Sequence, residues 1–138
     1  MPKIFDLKVI TPERLFYSGK AELVIVKTIS GDEGFMANHS WACKLLQPGE
    51  LRIKESGVSK SEYKIAALSE GYISVEGDVT IFTDAAEWPQ EIDLERAQRA
   101  KKRAEDRLKQ KDSDHSRAEV ALHRAINRIK VKHEGANK

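Results

Sequence analysis

Between residues 3 and 83 the chain alternates apolar and polar positions with a period of two, and from 93 to 132 apolar residues recur every three or four. The first pattern is that of strands. Phe5, Leu7 and Val9 alternate with Asp6 and Lys8, Leu23, Ile25 and Lys27 oppose Val24 and Val26, and Ile65, Ala67, Tyr72, Ser74, Val79 and Ile81 continue in short pieces. Turn residues punctuate the pattern at Thr11-Pro12-Glu13, Ser18-Gly19, Ser30-Gly31-Asp32, Gln47-Pro48-Gly49, Glu55-Ser56-Gly57 and Glu76-Gly77-Asp78. Short strands separated by turns every ~8 to 12 residues predict an antiparallel sandwich or flattened barrel. Glu87-Trp88-Pro89-Gln90-Glu91 then breaks the alternation.

The second pattern predicts two amphipathic helices. Leu94, Ala97, Ala100, Ala104 and Leu108 form one stripe, and Ala118, Ala121, Leu122, Ala125 and Ile129 form another. Asp93 has the chemistry of an N-cap with Glu95 in the first turn, and Ser116 with Glu119 has the spacing of a capping box. Lys111-Asp112-Ser113-Asp114-His115 is the expected turn, so the helices fold back as a hairpin. Alanine packs closely but removes little apolar surface from water, so an alanine seam is only marginally stable by itself.

Charge separates the two halves. Residues 93–138 hold 14 Lys and Arg against 8 Asp and Glu, whereas residues 1–92 hold 10 against 14, so a net +2 conceals a basic tail on an acidic body. The single cysteine, Cys43, cannot form an intramolecular disulfide, which fits a reducing compartment. No run approaches the ~20 apolar residues of a membrane-spanning helix, and the N-terminus lacks a signal-type apolar core.

The residues offer no catalytic constellation and no metal site. His115, His123 and His133 lie in the helical tail, and none of the four histidines pairs with Cys43 or another histidine at a ligand spacing. Cys43, within Trp41-Ala42-Cys43-Lys44-Leu45-Leu46, reads as a small core side chain. Gly31-Asp32-Glu33-Gly34 lacks the lysine and hydroxyl residue of a phosphate loop and reads as a hairpin corner. Arg117, Arg124, Arg128 and Lys132 share one helix face. That face suits an anionic partner, whether nucleic acid, a phosphate ligand or an acidic protein surface, or it is simply solvated. A free-standing binding module gripping an acidic protein or nucleic acid is therefore one reading. The tail has no Phe, Tyr or Trp to stack on bases, which argues against nucleic acid.

Motif order then narrows the choice. Val9-Ile10-Thr11-Pro12-Glu13, Gly31-Asp32-Glu33-Gly34-Phe35-Met36-Ala37-Asn38-His39, Leu46-Gln47-Pro48-Gly49, Ser69-Glu70-Gly71-Tyr72-Ile73-Ser74-Val75, Val79-Thr80-Ile81-Phe82-Thr83-Asp84-Ala85-Ala86-Glu87 and Ile92-Asp93-Leu94-Glu95-Arg96-Ala97 follow one another along the whole chain. In that order the sequence resembles the epsilon subunits of bacterial F-type rotary ATP synthases, called delta in mitochondria. It departs from the usual family pattern at Ala37-Asn38 before His39, at Ser40-Trp41, at Glu70 and at Trp88-Pro89.

The resemblance implies an all-β N-terminal domain, a ten-stranded antiparallel β-sandwich over residues 1–86, followed by an α-helical hairpin over 87–138. It implies a non-catalytic rotor subunit of the central stalk that couples rotation to ATP synthesis, peripheral on the cytoplasmic face of the bacterial inner membrane. Its partners would be the gamma subunit and the membrane rotor ring, met through Asp32, Glu33 and His39, with no nucleic acid and no membrane contact except through the complex. The hairpin would extend into the catalytic alpha/beta hexamer and inhibit hydrolysis through Arg117, Arg124, Arg128 and Lys132. No cofactor is required. A regulatory ATP is implied at Glu87, Ile92, Asp93, Arg96, Ala97, Arg103, Arg124 and Arg128, which match the motif of family members that bind ATP on the folded hairpin.

Overall fold

The computed structural model describes residues 3–57, 62–111 and 114–136. The chain divides into two compact units, Met1–Ala86 and Glu87–Lys138. The first unit is built from β1 (Phe5–Ile10), β2 (Leu15–Thr28), β3 (Gly31–Met36), β4 (Ala42–Leu46), β5 (Gly49–Glu55), β6 (Lys64–Leu68), β7 (Gly71–Glu76) and β8 (Asp78–Thr83), with the two-residue β9 (Ala86–Glu87) at its end. Strand order is β1-β8-β7-β4-β2-β5-β6-β9, with β3 also on β2 and β1 closing back onto β2.

The 14-residue β2 joins the two layers. Its first half pairs with β1, from Ala21 opposite Phe5 to Leu15 opposite Ile10, and its second half pairs with β3 and β5. A register irregularity between Ala21 and Leu23 falls where one partner set gives way to the other, the usual way a strand bends from sheet to sheet. Nine strands therefore occur among the described residues where ten were expected, because one continuous strand occupies a position in each sheet. Within the antiparallel sandwich one pairing is parallel. β1 runs parallel to β8, with Leu7 opposite Val79 and Val9 opposite Ile81, which is feasible because most of the unit forms the crossover between them.

The core follows the alternation. Leu7, Val9, Val24, Val26, Phe35, Leu51, Ile53, Ile73, Val75, Val79 and Ile81 are essentially inaccessible. In β7 it is Ile73 and Val75 that face inward, while Tyr72 is exposed and stacks on Phe82 of β8 with ring centroids 4.9 Å apart. Tyr17 anchors β2 by donating its hydroxyl to Glu55 at 2.7 Å, and burial, followed by that carboxylate, pushes its phenol pKa up. The β2–β3 corner lies at Ile29-Ser30, not over residues 31–34. Gly31 enters β3 at φ 109°, which a side chain rarely tolerates, and Asp32, Glu33 and Gly34 belong to the strand.

The second unit begins with a 3-10 turn, Pro89–Glu91, which leads into α1 (Leu94–Leu108) and then α2 (His115–Ala136). Asp93 caps α1, its carboxylate accepting from the Arg96 amide at 3.1 Å. The α2 cap is displaced from expectation. Asp114 accepts from the Arg117 amide at 3.2 Å, so the helix starts earlier and Ser116 lies inside it. Of the expected turn, Asp112 and Ser113 lie outside the described residues. Ala97 and Ala104 of α1 are buried, as are Ala118, Ala125 and Val131 of α2, so the seam consists mainly of methyl groups.

Candidate functional site

The hairpin positions its polar groups from two elements. At its base Arg128 Nε lies 2.6 Å from Glu87 Oε1, with both side chains about one third exposed. One turn further along α2, Lys132 Nζ donates to the Pro89 carbonyl at 2.9 Å. Of the eight residues expected to hold ATP, Glu87 and Arg128 are thus joined directly, and Asp93 meets Arg96 through the cap. Ile92 and Ala97 are buried and support the helix start; Arg96 and Arg103 are exposed and Arg124 is half-buried. Of the four cations on the α2 face, Arg117 is exposed, while Arg128 and Lys132 are engaged at the hairpin base. The geometry offers guanidinium groups at both ends of the seam. Among the described residues no cluster of three His, Cys, Asp or Glu is arranged to hold a metal.

The sandwich carries the other expected residues. Asp32 is exposed, and Glu33 accepts from Lys44 Nζ at 2.7 Å, tying β3 to β4. The Lys44 ammonium holds the Glu33 carboxyl below the usual glutamate range. His39 packs its ring on Phe35 with centroids 4.9 Å apart, and its Nδ1 lies 2.7 Å from the Ser40 carbonyl oxygen. Asn38 takes φ 65°, the left-handed conformation asparagine adopts more readily than most residues, so the bend is made without proline or glycine.

The sandwich also exposes large apolar side chains that periodicity did not reveal. Ile29, Met36, Trp41 and Leu45 are all exposed, Trp41 by 81%. Cys43 is exposed too, correcting its expected place in the core. Most of the run from Trp41 to Leu46 faces outward despite its apolar composition, and only Leu46 at its end is buried. Four large hydrophobic side chains are thus exposed between positions 29 and 45.

Comparison with known proteins decides what this arrangement belongs to. Residues 4–89 match the beta-sandwich domain of the ATP synthase, Delta/Epsilon chain, and residues 90–133 match the long alpha-helix domain of the same chain. The chain belongs to the ATP synthase delta/epsilon family. It is a non-catalytic subunit of the central stalk of the F-type rotary ATP synthase, and association with that complex replaces the reading of a free-standing module. The ATP synthase epsilon chain of Clostridium novyi is 46% identical over 133 residues, covering 95% of this chain and 99% of that one. Those of Caldanaerobacter subterraneus subsp. tengcongensis and Caldicellulosiruptor bescii are 45% and 42% identical, covering 95% and 94% of both partners. The epsilon fold itself extends further. A chain in the Euglena gracilis mitochondrial ATP synthase structure (OSCP/F1/c-ring, rotational state 1) superimposes with a TM-score of 0.79 at 22% identity, covering 100% of this chain and 84% of that one. A chain in the Tetrahymena thermophila central stalk/c-ring structure gives 0.61 at 16% identity, covering 94% and 97%. In this epsilon-type chain no helix among the described residues is long and apolar enough to cross a membrane.

Proposed function

We propose that this subunit docks on gamma and the membrane rotor ring through the sandwich face around Asp32, Glu33 and His39, and that its hairpin regulates hydrolysis. Closed, the hairpin stays clear of the catalytic alpha/beta hexamer. Open, it extends along gamma and presents Arg117, Arg124, Arg128 and Lys132 to acidic segments of the hexamer, which blocks turnover. ATP held by Glu87, Ile92, Asp93, Arg96, Ala97, Arg103, Arg124 and Arg128 favours the closed form, because a ligand that binds one state stabilises it. The complex sits on the cytoplasmic face of the bacterial inner membrane, and this chain meets the membrane only through it.

The observation that carries the reading is the seam. All the buried apolar residues described on the two helices except Val131 are alanines, Ala97, Ala104, Ala118 and Ala125, so closing the hairpin removes little apolar surface from water per residue. Two states close in free energy are what a switch needs, since differential contacts of only ~5.5 kcal/mol move an equilibrium from 1:99 to 99:1. The docking face contributes the second element. Exposed Trp41 and Leu45 supply apolar anchors, and the Glu33–Lys44 ion pair ties β3 to β4.

The test is ATP hydrolysis by a gamma-containing hexamer with the full-length chain and with a chain ending at Glu91. Both should bind, and only the full-length chain should slow hydrolysis, less so as ATP rises. Equal rates with binding retained would refute the inhibitory role. Failure of either chain to bind would refute the docking assignment.

A further inference from the structure

The base of the hairpin contains a fit that alanine packing does not account for. Pro89 opens the 3-10 turn and is buried. Its ring lies so close to Gly135 of α2 that a Cβ at position 135 would stand 2.3 Å from Pro89 Cβ and 2.7 Å from Cγ. Those are ring carbons, not the end of a flexible side chain, so neither can swing aside. One turn earlier on α2 Lys132 donates to the carbonyl of the same proline at 2.9 Å, and one turn before that Arg128 pairs with Glu87. Positions 128, 132 and 135 fall on one helix face, so the last turns of α2 grip the segment before α1 at successive levels.

Gly135 lies in the last turn of α2, one residue before the helix ends at Ala136, where a weak helix former costs little. The close approach to Pro89 is what requires the missing Cβ. The proline carbonyl, already accepting from the Ile92 amide at 3.3 Å, is held in place by the turn and so gives Lys132 a fixed acceptor.

We propose that Pro89, Lys132 and Gly135 form a latch that holds the end of α2 on the turn preceding α1 and sets how readily the hairpin opens. The inference rests on the reading of the hairpin as a switch and adds where the switch is held. The alanine seam is uniform and non-directional, whereas the latch combines a shape fit with an oriented hydrogen bond at a single proline. It also explains why opening arms the helix. Lys132 and Arg128, two of the four cations assigned to the inhibitory contact, are engaged by Pro89 and Glu87 while the hairpin is closed, and opening frees both at once.

The experiment is amide hydrogen exchange on the full-length chain and its Gly135→Ala variant, because the two explanations of Gly135 predict opposite signs. A latch predicts that exchange over residues 90–92 and the last turns of α2 rises about five-fold or more, with β1 to β8 unchanged as the internal control for folding. Slower exchange, as expected if alanine only improves the helix, overturns the latch. Lys132→Met keeps the alkyl stem and removes the donor; it should raise exchange over the same segments, and unchanged exchange overturns the role of Lys132. The same variants added to the gamma-containing hexamer separate latch from switch. Stronger inhibition supports both, while faster exchange with unaltered hydrolysis leaves the latch standing and removes the regulatory reading.

Discussion

Replacing Ala104 by leucine tests whether the seam sets the balance between closed and open hairpin. Ala104 is 2% exposed on the α1 face that meets α2, and the facing surface presents the buried alanines 118 and 125. Leucine adds three carbons at a buried position between the two helices, so the helices must separate or distort, at a cost of ~1–3 kcal/mol. Leucine is nearly as good a helix former as alanine, so α1 itself persists and the penalty falls on docking alone. A cost of ~2 kcal/mol shifts the closed-to-open ratio roughly 30-fold, because each 1.4 kcal/mol is a factor of ten. The shift can be read as a distance distribution between dyes at the exposed positions Glu105 and Glu119, after exposed Cys43 is replaced by serine so that labelling is specific. The open population should rise, and hydrolysis by the assembled hexamer should fall with it. An unchanged distance distribution would refute the idea that alanine packing closes the hairpin. A changed distribution with unchanged hydrolysis would refute the link from opening to inhibition.

Other consequences are as specific. Gly71→Ala would place a Cβ 1.9 Å from the Phe82 carbonyl oxygen and 2.7 Å from Thr83 Cα, both backbone atoms of the paired strand β8; we expect a loss of at least about 3 kcal/mol in denaturant unfolding of the sandwich. Glu33 should titrate below the ordinary glutamate value by NMR and return towards it in Lys44→Met, because its largest influence is the Lys44 ammonium. The sign follows: a depressed carboxylate contributes stability that is present above the ordinary glutamate range and is lost as pH falls through the lowered value. Arg128→Ala should weaken ATP binding about ten-fold by calorimetry through loss of a charged donor. It should change hairpin stability by less than ~1 kcal/mol, since the Glu87–Arg128 pair is partly solvated.

Much of the fold was legible because period-two alternation reports burial directly. Phe5, Leu7 and Val9 sit inside as their spacing predicts, and Ala97, Ala104, Ala118 and Ala125 line the seam. Hidden features were those in which hydrophobicity and burial part company. Cys43 and Leu45 lie in an apolar run yet face outward. Asp and Ser cap equally well, so sequence could not choose between Asp114 and Ser116, and it is Asp114 that takes the role. Gly135 reads as a helix terminator by its chemistry and α2 ends one residue later, but only the proximity of Pro89, 46 positions earlier in numbering, shows the second demand for a missing Cβ there. The hairpin cations could be placed on one face from their spacing, but which of them are already engaged depends on the base of the fold.

The parallel pairing of β1 with β8 has a bearing on how the chain is made. Leu7 finds its β2 partner Gly19 soon after both are synthesised, but its other neighbour, Val79, arrives only when nearly the whole unit has left the ribosome. Long-range pairing of this kind delays closure of the sandwich and keeps a strand edge exposed to other nascent chains in the interval. At ~5–20 residues per second the ribosome then needs about 3–10 s to make residues 87–138, a period comparable with or longer than the ms–s in which such β-rich units fold. The sandwich thus has time to close before the helical segment is complete, so assembly onto a partner can begin with the rigid body in place and the hairpin still unformed.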